Sequence, residues 1–118
     1  MAKILIADDS AFMRKMLKDI LTEGGYQDFL EAGDGNEAVK LVVAEKPDLL
    51  VLDIIMPELD GIGVLEKIDP KRTPVLVVSA VGQEEMVDKA EKLGVIGYMV
   101  KPFEKEKVLE AVKKVLGK

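Results

Sequence analysis

Four short aliphatic runs punctuate the chain: Ile4-Leu5-Ile6-Ala7, Leu49-Leu50-Val51-Leu52, Val75-Leu76-Val77-Val78 and Ile96 to Val100. None alternates apolar with polar residues, so each reads as a strand covered on both faces. A weaker run, Phe29 to Ala32, has the mixed character of an edge strand. Between these runs the apolar positions recur every three or four residues, the spacing of amphipathic helices. The clearest stripe is Phe12, Met13, Met16, Leu17, Ile20 and Leu21, with Arg14, Lys15, Lys18 and Asp19 assigned to the opposite face. Gly24-Gly25 supplies a left-handed stop for this helix. A second helix is expected from Asn36 to about Glu45, closed by Pro47. Met86, Val87, Ala90 and Leu93 mark a fourth that stops at Gly94, and Val108, Leu109, Val112, Val115 and Leu116 mark a fifth. The third, after Gly61, has Ile62, Val64, Leu65 and Ile68 to bury. It is expected to be short, because Asp69-Pro70 ends it and Pro74 opens the next strand.

Strand and helix alternating five times with short connections require right-handed crossovers and a parallel sheet with helices on both faces. The expected fold is α/β, a doubly wound sheet of five parallel strands with five helices; the flavodoxin-like order 2-1-3-4-5 is expected from the precedent of such sheets, since the alternation alone does not fix it. At 118 residues the chain is the size of one domain, and a single domain over 1–118 is expected.

Composition narrows the function. Lys plus Arg number 17 against 22 Asp plus Glu, a net charge of −5, and the basic residues form no block, which argues against nucleic-acid binding. With no cysteine and no histidine there is no thiolate nucleophile, Cys-based zinc site, Ser-His triad or phosphohistidine in this chain. The apolar runs are too short for a signal peptide or a membrane span, and a cytoplasmic monomer without membrane contact is expected.

The polar residues that follow the strong runs are the informative ones. Asp8-Asp9 follow the first, Asp53 the third strand, Ser79 the fourth and Lys101 the fifth. In a parallel sheet these all fall on one edge, with neighbouring strands ~4.8 Å apart. Strand order reverses between the first and third strands, so the crevice there lies between Asp8-Asp9 and Asp53. Three crowded carboxylates repel one another unless a cation compensates. Magnesium suits the set, since it takes a few carboxylates and a carbonyl while leaving room for waters and a phosphate oxygen. Such a pocket suits phosphoryl transfer, with Asp53 as nucleophile and Lys101 and Ser79 facing the phosphoryl oxygens.

Taken together, Asp8-Asp9-Ser10-Ala11-Phe12-Met13-Arg14, Leu52-Asp53, Met56-Pro57-Glu58-Leu59-Asp60-Gly61, Val78-Ser79-Ala80 and Lys101-Pro102-Phe103 resemble a response-regulator receiver domain of the chemotaxis type, along the whole chain and in order. The resemblance implies that Asp53 accepts the phosphoryl group, that Asp8, Asp9, Asp53 and the backbone carbonyl of Ile55 hold magnesium, that Ser79 and Tyr98 form a switch pair, and that the Lys101-Pro102 peptide is cis. It also implies a histidine kinase as phosphodonor and a separate output protein, such as a flagellar or archaellar motor component, since the sequence stops after the last helix. A phosphorelay carrier that hands its phosphate to a histidine phosphotransfer domain is the alternative. In neither case is the chain an enzyme acting on an external substrate; it assists its own phosphorylation and dephosphorylation. It departs from the pattern in having Ser79 where Thr is common and in a shortened stretch from Gly61 to Pro74.

Simpler roles exist for single residues. Asp9 or Ser10 is suited to cap the first helix, Asp60-Gly61 to turn into the third, Tyr98 to half-bury as a core aromatic, and Met13, Met16, Met86 and Met99 to fill the core. Capping accounts for one carboxylate, not for three acids, a hydroxyl and a lysine at one edge. A strand-end-Asp phosphatase would want a second acid at position 55, which is Ile55, and a flavin carrier would want hydroxyls where Asp8-Asp9 stand.

Overall fold

In the computed structural model, which describes residues 2–117, strands and helices alternate without exception. They are β1 (Lys3–Ala7), α1 (Ala11–Glu23), β2 (Asp28–Ala32), α2 (Gly35–Glu45), β3 (Leu49–Asp53), α3 (Gly61–Lys67), β4 (Val75–Ser79), α4 (Glu84–Lys92), β5 (Gly97–Val100) and α5 (Lys105–Leu116). Met1 and Lys118, the ends of the expected single domain, lie outside the described residues. All pairings are parallel, in the order β2-β1-β3-β4-β5, as expected.

Successive side chains of a strand point to opposite faces, and here both faces are buried. Leu5, Ala7, Leu50, Leu52, Val75 and Val77 pack with Ala38 and Val42 of α2, Val64 and Leu65 of α3, and Val87 and Ala90 of α4. Ile4, Ile6, Leu49, Val51, Leu76 and Val78 pack instead with Leu17 and Leu21 of α1 and Val108 and Val112 of α5. Each fully buried Leu, Ile or Val stabilises the fold by roughly 1.5–3 kcal/mol. This two-sided burial is why β1, β3 and β4 carry unbroken aliphatic runs.

The fifth strand corrects the sequence expectation. Ile96 precedes it, and Ile96, Tyr98 and Val100 are exposed, while only Met99 is buried. Last in the order, β5 has a neighbour on one side only, so its apolar residues form an open edge. Phe12 is a second correction: it is 69% exposed. On α1 the row aimed at the sheet runs through Leu17 and Leu21; Phe12 and Met16 lie one position to its flank. Arg14 shares the inward row, and its side chain is only 17% exposed, so it does not belong to the solvent face assigned above.

The helix ends follow local chemistry. Ser10 caps α1 by accepting from the Met13 amide, Asp34 caps α2 through Glu37, and Asp60 caps α3 through Gly63. Gly25, with φ of 96°, supplies the left-handed residue after α1. The third helix has 7 residues, as short as its sequence implied. No helix among the described residues is long and apolar enough to cross a membrane.

Candidate functional site

The carboxyl ends of β1, β3, β4 and β5 converge, and the side chains there divide into a tightly tied group and a loose one. Asp53 closes β3 and is 5% exposed; Asp8, just beyond β1, is 2% exposed. Asp9 beside it is open to solvent. Asp8, Asp9 and Asp53 each offer a carboxylate oxygen, all within 4.8 Å of one another.

Main-chain bonds hold Asp8 in place. Its amide donates to the Ala32 carbonyl at 3.1 Å, and its Oδ1 accepts the Ser10 amide at 2.9 Å. The Asp8 carbonyl accepts from Arg14 Nη1 at 2.5 Å, and Arg14 Nε donates to Glu31 Oε1 at 2.8 Å. Asp53 Oδ1 accepts the Ile55 amide at 3.2 Å, which draws the peptide after β3 over the carboxylate.

Lys101, directly after β5, reaches across the edge. Its Nζ donates to Asp53 Oδ2 at 3.1 Å and lies 3.1 Å from Asp8 Oδ2. The second contact is an ion pair only, because Asp8 Oδ2 is buried without a hydrogen bond. The Lys101 amide donates to the Ser79 carbonyl at 2.8 Å, and the Lys101-Pro102 peptide is cis.

The electrostatics follow from crowding. Burial pushes the Asp53 carboxyl above its usual 3.8; the Lys101 hydrogen bond opposes this, and the negative Asp8 adds to it. For Lys101, burial pulls the ammonium down, but the hydrogen bond and charge of Asp53, together with Asp8, more than offset it and hold it above the usual 10.5. One lysine shared between two buried carboxylates leaves excess negative charge.

That excess, the orphaned Asp8 Oδ2 and the hard oxygen donors fit a small divalent cation. Asp8, Asp9 and Asp53 are the side chains that would hold it.

The loose group lies toward β5. Ser79 is buried, and its hydroxyl makes no hydrogen bond among the described residues. Tyr98 points outward, 52% exposed, and with Ser79, Val87 and Val100 lines a cavity of about 320 Å³ under α4. Ser79 and Tyr98 thus share one cavity, while Tyr98 is not the half-buried core aromatic that its strand position suggested. Ile55 and Val81 rim the site with exposed apolar side chains.

Sequence reasoning found the acids, Ser79 and Lys101 but missed Arg14 and Glu31. A charged residue in the same helical row as Leu17 and Leu21 was the available signal.

Comparison with known proteins places these features in context. A family model described as the response regulator receiver domain matches residues 4–113. The chemotaxis protein CheY of Thermotoga maritima is 47% identical over 116 residues, covering 96% of each chain. The chemotaxis protein CheY of Bacillus subtilis is 44% identical over 117 residues, covering 98% of each. Among solved structures, the receiver domain of the Francisella response regulator 1452 superposes with a TM-score of 0.87 at 32% identity, over 99% of this chain and 98% of the other.

Proposed function

Because the chain belongs to the response regulator receiver domain family, we propose that it is a single-domain phosphorylation switch whose acceptor is Asp53, charged by a histidine kinase in a magnesium-dependent reaction. The observation that carries this reading is the buried Asp53 carboxylate, fixed by the Ile55 amide on one oxygen and the Lys101 ammonium on the other.

An Asp53 carboxylate oxygen attacks the phosphorus of a phosphohistidine on the kinase. The new O–P bond forms as the P–N bond breaks, and its electron pair returns to the imidazole nitrogen, which then takes up a proton. Lys101 neutralises charge on the phosphoryl oxygens, and burial of Asp53 keeps the carboxylate desolvated and aligned. Magnesium, held by Asp8, Asp9, Asp53 and the Ile55 carbonyl, would supply further charge neutralisation there. Dephosphorylation is a separate step: water attacks phosphorus, the Asp53 O–P bond breaks with its electron pair returning to the carboxylate, and inorganic phosphate leaves carrying the oxygen of the water. The chain therefore takes part in its own chemistry and is not an enzyme for an external substrate.

The phosphoryl group places acceptor oxygens near the Ser79 hydroxyl, which has no competing hydrogen bond among the described residues to give up. Ser79 moves toward them, and Tyr98 turns inward into the cavity it already borders. The surface formed by α4, β5 and α5 changes with it, which alters affinity for a separate output protein. The chemotaxis proteins among its relatives support a messenger role in motility over a relay carrier.

Intact mass after incubation with acetyl phosphate and magnesium tests the acceptor. One phosphoryl group is expected on the wild-type chain and none on Asp53→Asn; labelling that persists in the variant would overturn the assignment. Efficient transfer of phosphate back to a histidine phosphotransfer domain would replace the messenger with the relay.

A further inference from the structure

Arg14 has a role that the phosphoacceptor chemistry does not require of it. Its guanidinium faces two ways. One nitrogen, Nε, is held by Glu31 Oε1 at 2.8 Å, and Nη1 donates to the main-chain carbonyl of Asp8 at 2.5 Å. Glu31 is itself steadied from a second side, because its Oε2 accepts from Lys18 Nζ at 3.0 Å. The hydrogen bonds from Lys18 and Arg14 outweigh the small effect of burial and keep the Glu31 carboxyl ionised, below the usual range.

The Asp8 carbonyl belongs to the peptide that joins Asp8 to Asp9. The direction of that carbonyl fixes ψ of Asp8 and the plane from which Asp9 departs, and so where the Asp9 side chain leaves the backbone. The other groups of Asp8 are already committed: the amide to Ala32, Oδ1 to the Ser10 amide. Arg14 closes the remaining freedom, leaving the unbonded Oδ2 directed into the acidic pocket.

We infer that Arg14 is a positioning residue for the metal pair: by clamping the Asp8 carbonyl it aims the carboxylates of Asp8 and Asp9 at a divalent cation, with Glu31 as its anchor. This rests on the reading of the acidic pocket as a magnesium site.

An ordinary surface ion pair between α1 and β2 would be worth about 0–1 kcal/mol and would not involve the site. The two roles predict opposite signs. Arg14 is a cation beside a cation site, so on charge alone its removal tightens magnesium binding. Loss of a positioning contact loosens it, on the order of tenfold for an outer-shell residue.

The test is calorimetric titration of the full chain with magnesium chloride, with a melting curve in EDTA for each variant. Arg14→Met is expected to weaken binding about tenfold. Arg14→Lys, which keeps the charge but lacks the two-sided fork, is expected to weaken it several-fold, and Glu31→Gln by less. A merely structural brace would lower the melting temperature in EDTA and leave the magnesium Kd of the folded chain unchanged. Arg14 variants that bind magnesium as tightly as the wild type, or more tightly, overturn the inference. Should Arg14→Met fail to fold, Arg14→Lys decides by the same criterion. A wild-type chain that binds no magnesium would break the underlying reading of the pocket, which separates the two failures.

Discussion

Two halves of the same sheet edge are built in opposite ways. Around β1 and β3 almost every polar atom is committed: Asp8 by the Ala32 carbonyl, the Ser10 amide and Arg14, and Asp53 by the Ile55 amide. Around β4 and β5 the main chain is bonded, through the Lys101 amide to the Ser79 carbonyl and the Ala80 amide to Gln83, but two polar side chains are left idle. The Ser79 hydroxyl has no partner among the described residues, Tyr98 stands in solvent, and a cavity of about 320 Å³ lies between them. The first half resembles a preorganised reaction site, where movement would cost rate. In the second, the Ser79 hydroxyl and the Tyr98 side chain can move without breaking a side-chain hydrogen bond among the described residues, so little opposes their change of state. A signalling switch needs both properties, and the fold separates them along one edge.

Lys101 spans the two halves, and removing it is the strongest way to break the contrast. Its amide is bonded to Ser79 and its ammonium to Asp53. Lys101→Met should slow magnesium-dependent labelling by acetyl phosphate by about two orders of magnitude, as for loss of one fixed charge-stabilising donor. A time course of intact mass measures it. A rate within a few-fold of the wild type would mean that the tied half works without its link to the loose one.

The rim offers a smaller effect. Ile55 borders the tied half and Val81 the loose half, the latter 86% exposed, and neither can orient a water molecule. The expected outcome is a long-lived phosphoaspartate. Ile55→Asn and Val81→Glu should each shorten its lifetime, on the order of tenfold together, by holding the attacking water in line. Decay followed by mass spectrometry checks this, and an unchanged lifetime in the double variant would place the control of hydrolysis elsewhere.

How far each half was legible in the sequence follows from the same contrast. Asp8, Asp9, Asp53, Ser79 and Lys101 could be placed on one edge because parallel strands end together, and strand ends are visible wherever an aliphatic run stops. The short third helix was legible for a similar local reason, whereas the sheet order came from the precedent of doubly wound folds and from no local signal. The exposure of Tyr98 and Val100 was not, because an edge strand with apolar residues on its open side has the same composition as a buried one. Phe12 misled for a related reason: helical spacing places it in a stripe with Met13 and Leu17, and only the packing shows which row of that stripe meets the sheet. Arg14 was hard to place because one of its two partners is a backbone carbonyl, which leaves no mark in the sequence; only its place in the row of Leu17 and Leu21 hinted at burial.

The smallest effect concerns the cost of the tied half when no cation is bound. The Asp53 carboxyl is raised by burial above 3.8, with Asp8 adding to the rise against the opposing Lys101. A raised folded value means that the folded chain binds more protons than the unfolded one between 3.8 and that value. The contribution of Asp53 to stability is therefore full below 3.8 and is lost as pH rises through the folded value, so in neutral solution without metal the ionised group is a net burden. Asp53→Asn removes the burden, and should stabilise the metal-free chain at pH ~7 by about 1 kcal/mol, a melting temperature higher by roughly 4 °C. The gain should shrink as pH falls through the raised folded value toward 3.8, where the wild-type carboxyl regains its proton. Glu31 works in the opposite sense: the Lys18 and Arg14 hydrogen bonds hold it below 4.5, so its contribution is present above that value and fades at lower pH in both proteins alike. Subtracting the two melting profiles isolates Asp53. Magnesium should then reverse the order, raising the wild-type melting temperature and moving that of Asp53→Asn much less, because only the wild type presents all three carboxylates. A variant less stable than the wild type in EDTA at neutral pH would show that the Lys101 pairing outweighs the crowding, and that the tied half is stable without its cation.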